Sequence, residues 1–348
     1  MEKPSIVKPL FILTAAAILI VVMRLAASLV LTLTLAALFA TLLYPIYNWL
    51  KRKRVPAGLA LLLTMAIMVA TAVFVVLLVG RSLETMMTSM AQYSDLMAQR
   101  QAELQARLGD LGDTSGFELL LQAIDPATLS KILGTILSAA ASVLSRGLLI
   151  LIITVFLLVE GAQFQERMLR SFGPESPLPR KVKALTGLFV RYFGLRAVVN
   201  LITGLGVTLM LWILGVDYAP LWGVLTFFLS FVPYIGMVVA LTPPVLLAYA
   251  ESGLGMAVLV IILAAVINIV AENLVAPVVM GKGLSISPTV VFLSYIIWMA
   301  ILGASGAFVA MPLTVAVIMA LASFEETHRI AEVMGDLSMP APETNDQL

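Results

Sequence analysis

Cysteine is absent from the chain and histidine occurs once, at His328. The first absence excludes disulfides and thiolate metal sites. The second excludes HExxH zinc centres and Ser-His-Asp triads. No GxxxxGKS/T segment occurs, so there is no P-loop to hydrolyse a nucleotide. Strict two-residue alternation, the mark of an outer-membrane barrel, is missing too. No basic arm interleaves with aromatic residues, which argues against a nucleic-acid partner, and a net charge of +1 favours no charged partner. Intramembrane proteolysis needs a nucleophile with its base, or two facing aspartates, whereas Asp217 stands alone at the edge of an apolar run. The chain therefore reads as a non-enzyme, with no cofactor and no metal site.

The most telling shortage is of charge. Only 12% of the 348 residues are charged and 61% are hydrophobic, and the mean hydropathy is +1.06. A soluble domain carries about one quarter charged residues. A hydrocarbon core of about 30 Å takes about 20 helical residues per span, and windows of that size free of Asp, Glu, Lys and Arg fill the chain. Residues 9–50 hold only Arg24, where we expect a reversal into a helical hairpin; 57–80 hold no charge; 132–159 hold only Arg146. Further clean runs cover 197–216, 218–250, 252–271 and 283–323. These patterns predict an all-α polytopic integral membrane protein of about eight transmembrane helices. Nine is the alternative, if Gly303 and Gly306 hinge the long last run into two. The N-terminal stretch has charges and an apolar run like a signal peptide but no small-residue cleavage site, so it reads as an uncleaved first span.

Short loops set the orientation. Lys3 and Lys8 precede the first span, Lys51 to Arg54 follow, and residues 160–196 carry seven Lys or Arg against three acids. The positive-inside rule makes these regions, and the N-terminus, cytoplasmic. Residues 81–131 then lie outside, with seven acids against four bases. The expected domains are N-terminal membrane helices over 1–80 (three spans), a helical extracytoplasmic segment over 81–131, a membrane core over 132–323 and a polar tail over 324–348.

Within the outer segment Leu83, Met90, Met97, Leu104 and Leu111 recur every seven residues, with Met87, Ser94, Gln101 and Leu108 as companions. That is a polar-interrupted heptad seam, which wants a partner helix. Two partners are open: a helix of the same chain, such as the one that Asp125-Pro126 would start, or a neighbouring subunit. In the 160–196 segment Pro174, Pro177 and Pro179 predict a stiff, non-helical connection. The mixed basic and apolar stretch from Lys181 to Arg196 then suits an amphipathic helix on an anionic inner leaflet, with a gate or coupling helix as the alternative.

Helix breakers gather in the C-terminal half. Pro233 and Gly236 in FVPYIG interrupt the 218–250 run, Pro243-Pro244 are expected to cut it again, and Gly204 and Gly206 to loosen the run before it. Proline removes an amide donor, and hydrocarbon cannot satisfy the carbonyl it frees. Broken backbone of this kind is how transporters bind solutes within the membrane; a structural kink or a re-entrant packing hairpin is the other reading. The stretch NIVAENLVAPVVMGKGLSISP at 268–288 adds Asn268, Glu272, Asn273, Pro277, Gly281 and Pro288. Asn268 and Glu272, four apart, share a helix face, and Arg196, Asn200 and Gly204 form a similar row. The two polar rows are candidates to face each other. A small polar solute would take hydrogen bonds from Asn200, Asn268, Asn273, Tyr234 and Trp298. An ion exchanger would use Glu272 as its titratable group. An ion pair or an interfacial position is the alternative for Glu272, and snorkelling to the interface for Arg196.

From about residue 185 to 322 the chain resembles the autoinducer-2 exporter (AI-2E) family of bacterial membrane proteins. The resemblance rests on LITG at 201–204, LGVDYAPLWGVLTFFLSFVPYIG at 214–236, ENLVAPVVMGKGLSISP at 272–288 and FLSYIIWMAILGASGAFVAMPLT at 292–314, in that order and spacing. YPIYNWLKRKRVP at 44–56 and FLLVEG at 156–161 fit more weakly. Ser230 and Tyr234 stand where much of the family has asparagine, and Met237 replaces a small polar residue, so the substrate does not carry over. The resemblance implies a secondary transporter in the bacterial inner membrane that lets a small solute out of the cell, as a homo-oligomer within the lipid bilayer. A furanone-type quorum signal and sodium-proton exchange are both known among relatives. The expectation is export by alternating access without ATP hydrolysis, with a sodium/proton antiporter, a facilitative channel and a non-transporting scaffold acting through residues 81–131 as alternatives. The expected pathway combines Asn200, Pro233, Tyr234, Gly236, Asn268, Glu272, Asn273, Pro277, Gly281, Pro288 and Trp298. Arg196, Gly204, Gly206, Gly303 and Gly306 are its structural or gating residues.

Overall fold

A run of apolar residues in hydrocarbon must satisfy its own backbone, which favours the helix wherever the sequence permits one. The computed structural model describes residues 14, 18, 20–108, 126–173, 176–232, 235–280, 285–303, 306–323 and 327–336. Its helices are α1 (Ala27–Arg52), α2 (Ala57–Thr88), α3 (Met90–Leu108), α4 (Pro126–Phe172), α5 (Pro177–Ile213), α6 (Ala219–Leu229), α7 (Ile235–Ser252), α8 (Leu254–Val270), α9 (Ala276–Met280), α10 (Pro288–Leu302), α11 (Gly306–Ser323) and α12 (His328–Met334). A π-helical turn, Ala271–Val275, joins α8 to α9. One short antiparallel pairing, β1 (Ser285–Ile286) with β2 (Gly335–Asp336), completes the described elements.

Among the described residues, four stretches are long and apolar enough to cross a membrane: Ala27–Arg52, Ala57–Thr88, Phe189–Ile213 and Leu254–Val278. Ala219–Leu229, Gly236–Ser252, Thr289–Leu302 and Val309–Ala322 are shorter apolar helices. Leu29, Phe74 and Trp212 stand largely exposed on these helices, as an outer surface solvated by lipid requires. The chain is an all-α polytopic membrane protein.

The chain divides into two compact units. The first holds Met1–Lys53, Leu149–Phe193 and Lys282–Leu348, the second Arg54–Leu148 and Gly194–Gly281. Two of the boundaries fall inside α4 and inside α5.

In the first unit, Ala36, Ala40, Leu43 and Tyr47 line the buried stripe of α1, which packs against α11. Thr154 of α4 donates to the Ala36 carbonyl at 3.3 Å and to its own Ile150 carbonyl at 2.7 Å. No reversal occurs at Arg24: residues 20–25 are helical and Ala26 carries the ladder on, with Ala26 N bonded to Val22 O and Val30 N to Ala26 O, both at 2.9 Å. An isolated arginine can snorkel along a helix and does not have to end it. The last run takes the alternative, hinged form. Gly303 ends α10 at φ 75°, a conformation open to glycine, and α11 folds back against α10. A Cβ on Gly306 would overlap the Trp298 carbonyl, so the two helices meet only because that side chain is missing.

The second unit has its core around Trp222, Leu221, Leu211, Leu247, Met86 and Met97. Helix α3 lies on α7 and α2. Leu83 and Met97 of the seam are buried as expected, at 2% and 0% exposure, so the partner of the seam belongs to the same chain. The companion row differs. Met87 is exposed, while Met86 and Tyr93 are buried. Leu83, Met86, Met90, Tyr93 and Met97 keep one three-four spacing across Ser89, so the inward companion row lies three residues after the seam and not four. Leu111 and the side chains of Leu104 and Leu108 lie outside what is described.

Three further expectations change. Pro177 and Pro179 lie in the first turn of α5, where a missing amide costs no internal hydrogen bond, so the non-helical connection is shorter than expected. Pro243-Pro244 do not cut the 218–250 run again, because α7 passes through both. Gly204 and Gly206 do not loosen α5. A Cβ on Gly204 would stand 2.6 Å from the Gly223 carbonyl of α6, and one on Gly206 would stand 3.3 Å from Ile267 of α8. These glycines let neighbouring helices approach.

Candidate functional site

The polar row on α5 meets the 268–288 stretch through one strong contact. Arg196 Nη1 donates to Glu272 Oε2 at 2.9 Å, and Nη2 lies 2.8 Å from Oε1. This two-pronged geometry is the strong form of a guanidinium-carboxylate pair. Nη2 also donates to the Ser230 carbonyl at 3.1 Å. Ser230 caps the end of α6, so Arg196 ties an otherwise open helix terminus to the acid. The Arg196 side chain is 11% exposed and that of Glu272 40%. The pair thus has a covered base and an acid open on one side.

Glu272 reaches Arg196 from the π turn. The Ala276 amide bonds the Ala271 carbonyl five residues back. Pro277 follows and offers no amide to the carbonyls four and five residues before it, Asn273 and Glu272. Wide turns of this kind recur at functional sites. Val199 of α5 packs against Ala271, Val275 and Ala276, which brings the helix wall against the turn.

One turn along α5 from Arg196, Asn200 is 1% exposed, and neither its Nδ2 nor its Oδ1 has a hydrogen-bond partner among the described residues. A side-chain amide offers two donors and an acceptor. Leaving such a group unmet in a buried place costs about 1–3 kcal/mol. Asn200 is therefore the group here that most needs a polar ligand.

Of the other expected residues, Gly236 is buried at the start of α7, where a Cβ would overlap the Leu229 carbonyl of α6. The two halves of the 218–250 run thus fold onto each other as a tight hairpin. Asn268 is half-buried, while Asn273 and Pro277 are exposed. Pro233, Tyr234 and Gly281 lie outside the described residues. Pro288 opens α10 in the first unit. Trp298, also in that unit, gives its indole N–H to Thr314 Oγ1 at 2.9 Å, a contact within the α10–α11 hairpin.

The Ser230 carbonyl was not legible as a partner, since any residue supplies one. A second polar cluster also escaped notice. Tyr93 donates to Asp217 Oδ2 at 2.6 Å, Trp222 Nε1 to the Asp217 carbonyl at 3.0 Å, and Arg100 Nη2 to the Glu251 carbonyl at 3.3 Å. The available signal was that Asp217 and Glu251 are the two charges that end the 197–216 and 218–250 runs.

Residues 10–326 match the profile of the AI-2E family transporter. The chain is 31% identical over 346 residues to the AI-2 transport protein TqsA of Escherichia coli K12, covering 97% of this chain and 99% of that protein. It is 30% identical to a Haemophilus influenzae protein described as a candidate transport protein, covering 94% and 96% of the two. With YhhT of Escherichia coli K12, also described as a candidate transport protein, it shares 29% identity over 83% of each.

Proposed function

Because the chain belongs to the AI-2E transporter family, we propose that it is a secondary transporter. It exports a small polar solute, an autoinducer-2-like signal or another small metabolite, by alternating access without ATP hydrolysis. The observation that carries this proposal is the buried, unpartnered amide of Asn200 one turn from the Arg196–Glu272 pair. The amide binds the solute, and the pair is the gate beside it, since opening it parts α5 from the π turn and uncaps α6. The charge of the loops supports an inner-membrane protein with a cytoplasmic N-terminus and residues 81–131 outside. Arg196 then lies at the cytoplasmic end of the 197–216 apolar run. We propose a homo-oligomer, as the resemblance implies.

Flux of candidate solutes into proteoliposomes tests this. Saturable flux that accelerates when unlabelled solute is loaded on the far side is the expected result. Flux that never saturates would replace the proposal with a facilitative channel, and no flux for any solute would leave a scaffold. The open side of Glu272 favours one second reading, sodium-proton exchange. If it holds, Glu272→Gln abolishes proton movement driven by a sodium gradient; if the variant exchanges normally at every pH, it fails.

A further inference from the structure

The Asp217 cluster gathers three segments of the second unit: α3 through Tyr93, the turn before α6 through Asp217, and the end of α7 through Glu251. Glu251 stands in the short connection between the 218–250 and 252–271 apolar runs. Tyr93, 4% exposed, donates its hydroxyl to Asp217 Oδ2, and the Glu251 carboxyl group lies beside that hydroxyl and the backbone of Asp217. Glu251 Oε1 is shut from solvent and has no partner among the described residues. Two carboxyl groups thus gather at one hydroxyl, which the Tyr218 side chain also meets.

No cation offsets them among the described residues. Arg100, the base on the inward face of α3, bonds Glu103 at 2.9 Å and the main-chain carbonyl of Glu251, not its carboxyl group. Arg81 and Glu84 on α2 and Asp95 on α3 are exposed. Tyr218 adjoins Asp217, and the buried Tyr249 hydroxyl on α7, itself without a partner, feels the charges of Arg100 and Glu103. The charge of Asp217 therefore works against ionisation of Glu251.

We propose that Tyr93, Asp217 and Glu251 form a proton-operated latch, in which a proton on the carboxyl pair keeps α3 fastened to the turn before α6 and to the end of α7. Losing that proton releases α3. This goes beyond the transport reading and holds for any solute, or none. Burial first, and then the charge of Asp217, push the Glu251 carboxyl up from 4.5 to about 7. Burial, and then the hydrogen bond to Asp217, push the Tyr93 hydroxyl above its ordinary range, so it remains a donor throughout. A carboxyl group whose pKa is higher in the closed state binds more protons closed than open. The latch is therefore tightest below pH 4.5, weakens as the pH climbs from there to about 7, and changes no further above.

Hydrogen-deuterium exchange on the full chain in lipid nanodiscs, at about pH 5.5 and about pH 8.5 with chemical rates corrected, tests the latch. The wild type is expected to exchange roughly thirtyfold faster over Met90–Leu108 at the higher pH, about one and a half pKa units' worth of opening, while α8 stays unchanged. Glu251→Gln, which cannot ionise, is expected to keep its protection at both. Equal corrected rates in the wild type overturn the latch, and so does a Glu251→Gln variant that responds to pH as the wild type does. Infrared difference spectra of the wild type need no variant. They are expected to lose one protonated-carboxyl band with a midpoint near pH 7, and absence of that band overturns the proposal equally.

Discussion

The second unit puts a carboxylate near each end of the same helix pair and treats the two differently. At the Glu272 end the acid meets a guanidinium in two-pronged contact and keeps one side open. At the Glu251 end it meets another acid and a tyrosine, with its outer oxygen shut away. Helix α5 rises about 25 Å between Arg196 and Ile213, so these are separate layers. The contrast teaches how each layer comes apart. An ion pair opens only by drawing charges away from each other. A crowded acid pair opens once its proton has gone.

Four substitutions test that contrast, beginning with the largest effect. Asn200→Leu, a near-isostere without hydrogen-bonding groups, is expected to cut solute flux by about a hundredfold while leaving stability unchanged or about 1 kcal/mol higher, because it removes an unmet buried amide. Flux assays beside thermal unfolding check both halves, and parallel losses of flux and stability would make Asn200 structural. Arg196→Met is expected to cost about 3 kcal/mol in detergent unfolding, since it leaves Glu272 unpaired and the Ser230 carbonyl uncapped. Tyr93→Phe is expected to cost about 1.5 kcal/mol and to free α3 even at low pH. If it costs more than Arg196→Met, the ranking of the two layers is reversed. Met87→Ser is expected to stay within about 0.5 kcal/mol, because that side chain faces outward at the end of α2.

Much of this was legible from single residues and their spacing. Charge-free windows located the apolar helices, Gly303 marked the hinge of the last run, and Arg196 and Glu272 were singled out although they lie 76 positions apart. Their pairing with each other was one option among several, since a charge near the end of a span reads equally well as snorkelling. What escaped has physical causes. Met86 takes the place of Met87 in the core because a heptad seam has a companion either three or four residues on, and here the row three residues on, Met86 and Tyr93, faces inward. Gly204 and Gly206 looked like weak points because a sequence shows the flexibility of glycine but not the neighbour that needs the space. The Tyr93–Asp217–Glu251 cluster joins three segments, none of which carries a recognisable pattern alone.

The wide turn at Ala271–Val275 has one more consequence. It uses five residues where an ordinary turn uses between three and four, so it works as a phase shifter. The residues before it follow one helical wheel and those after it another. Side chains on α8 and α9 that a single wheel would align are therefore out of step. A homologue lacking one residue there would keep the length of α8 yet turn everything beyond it to a new bearing, so a one-residue gap in an alignment at this place is a rotation and not a shortening.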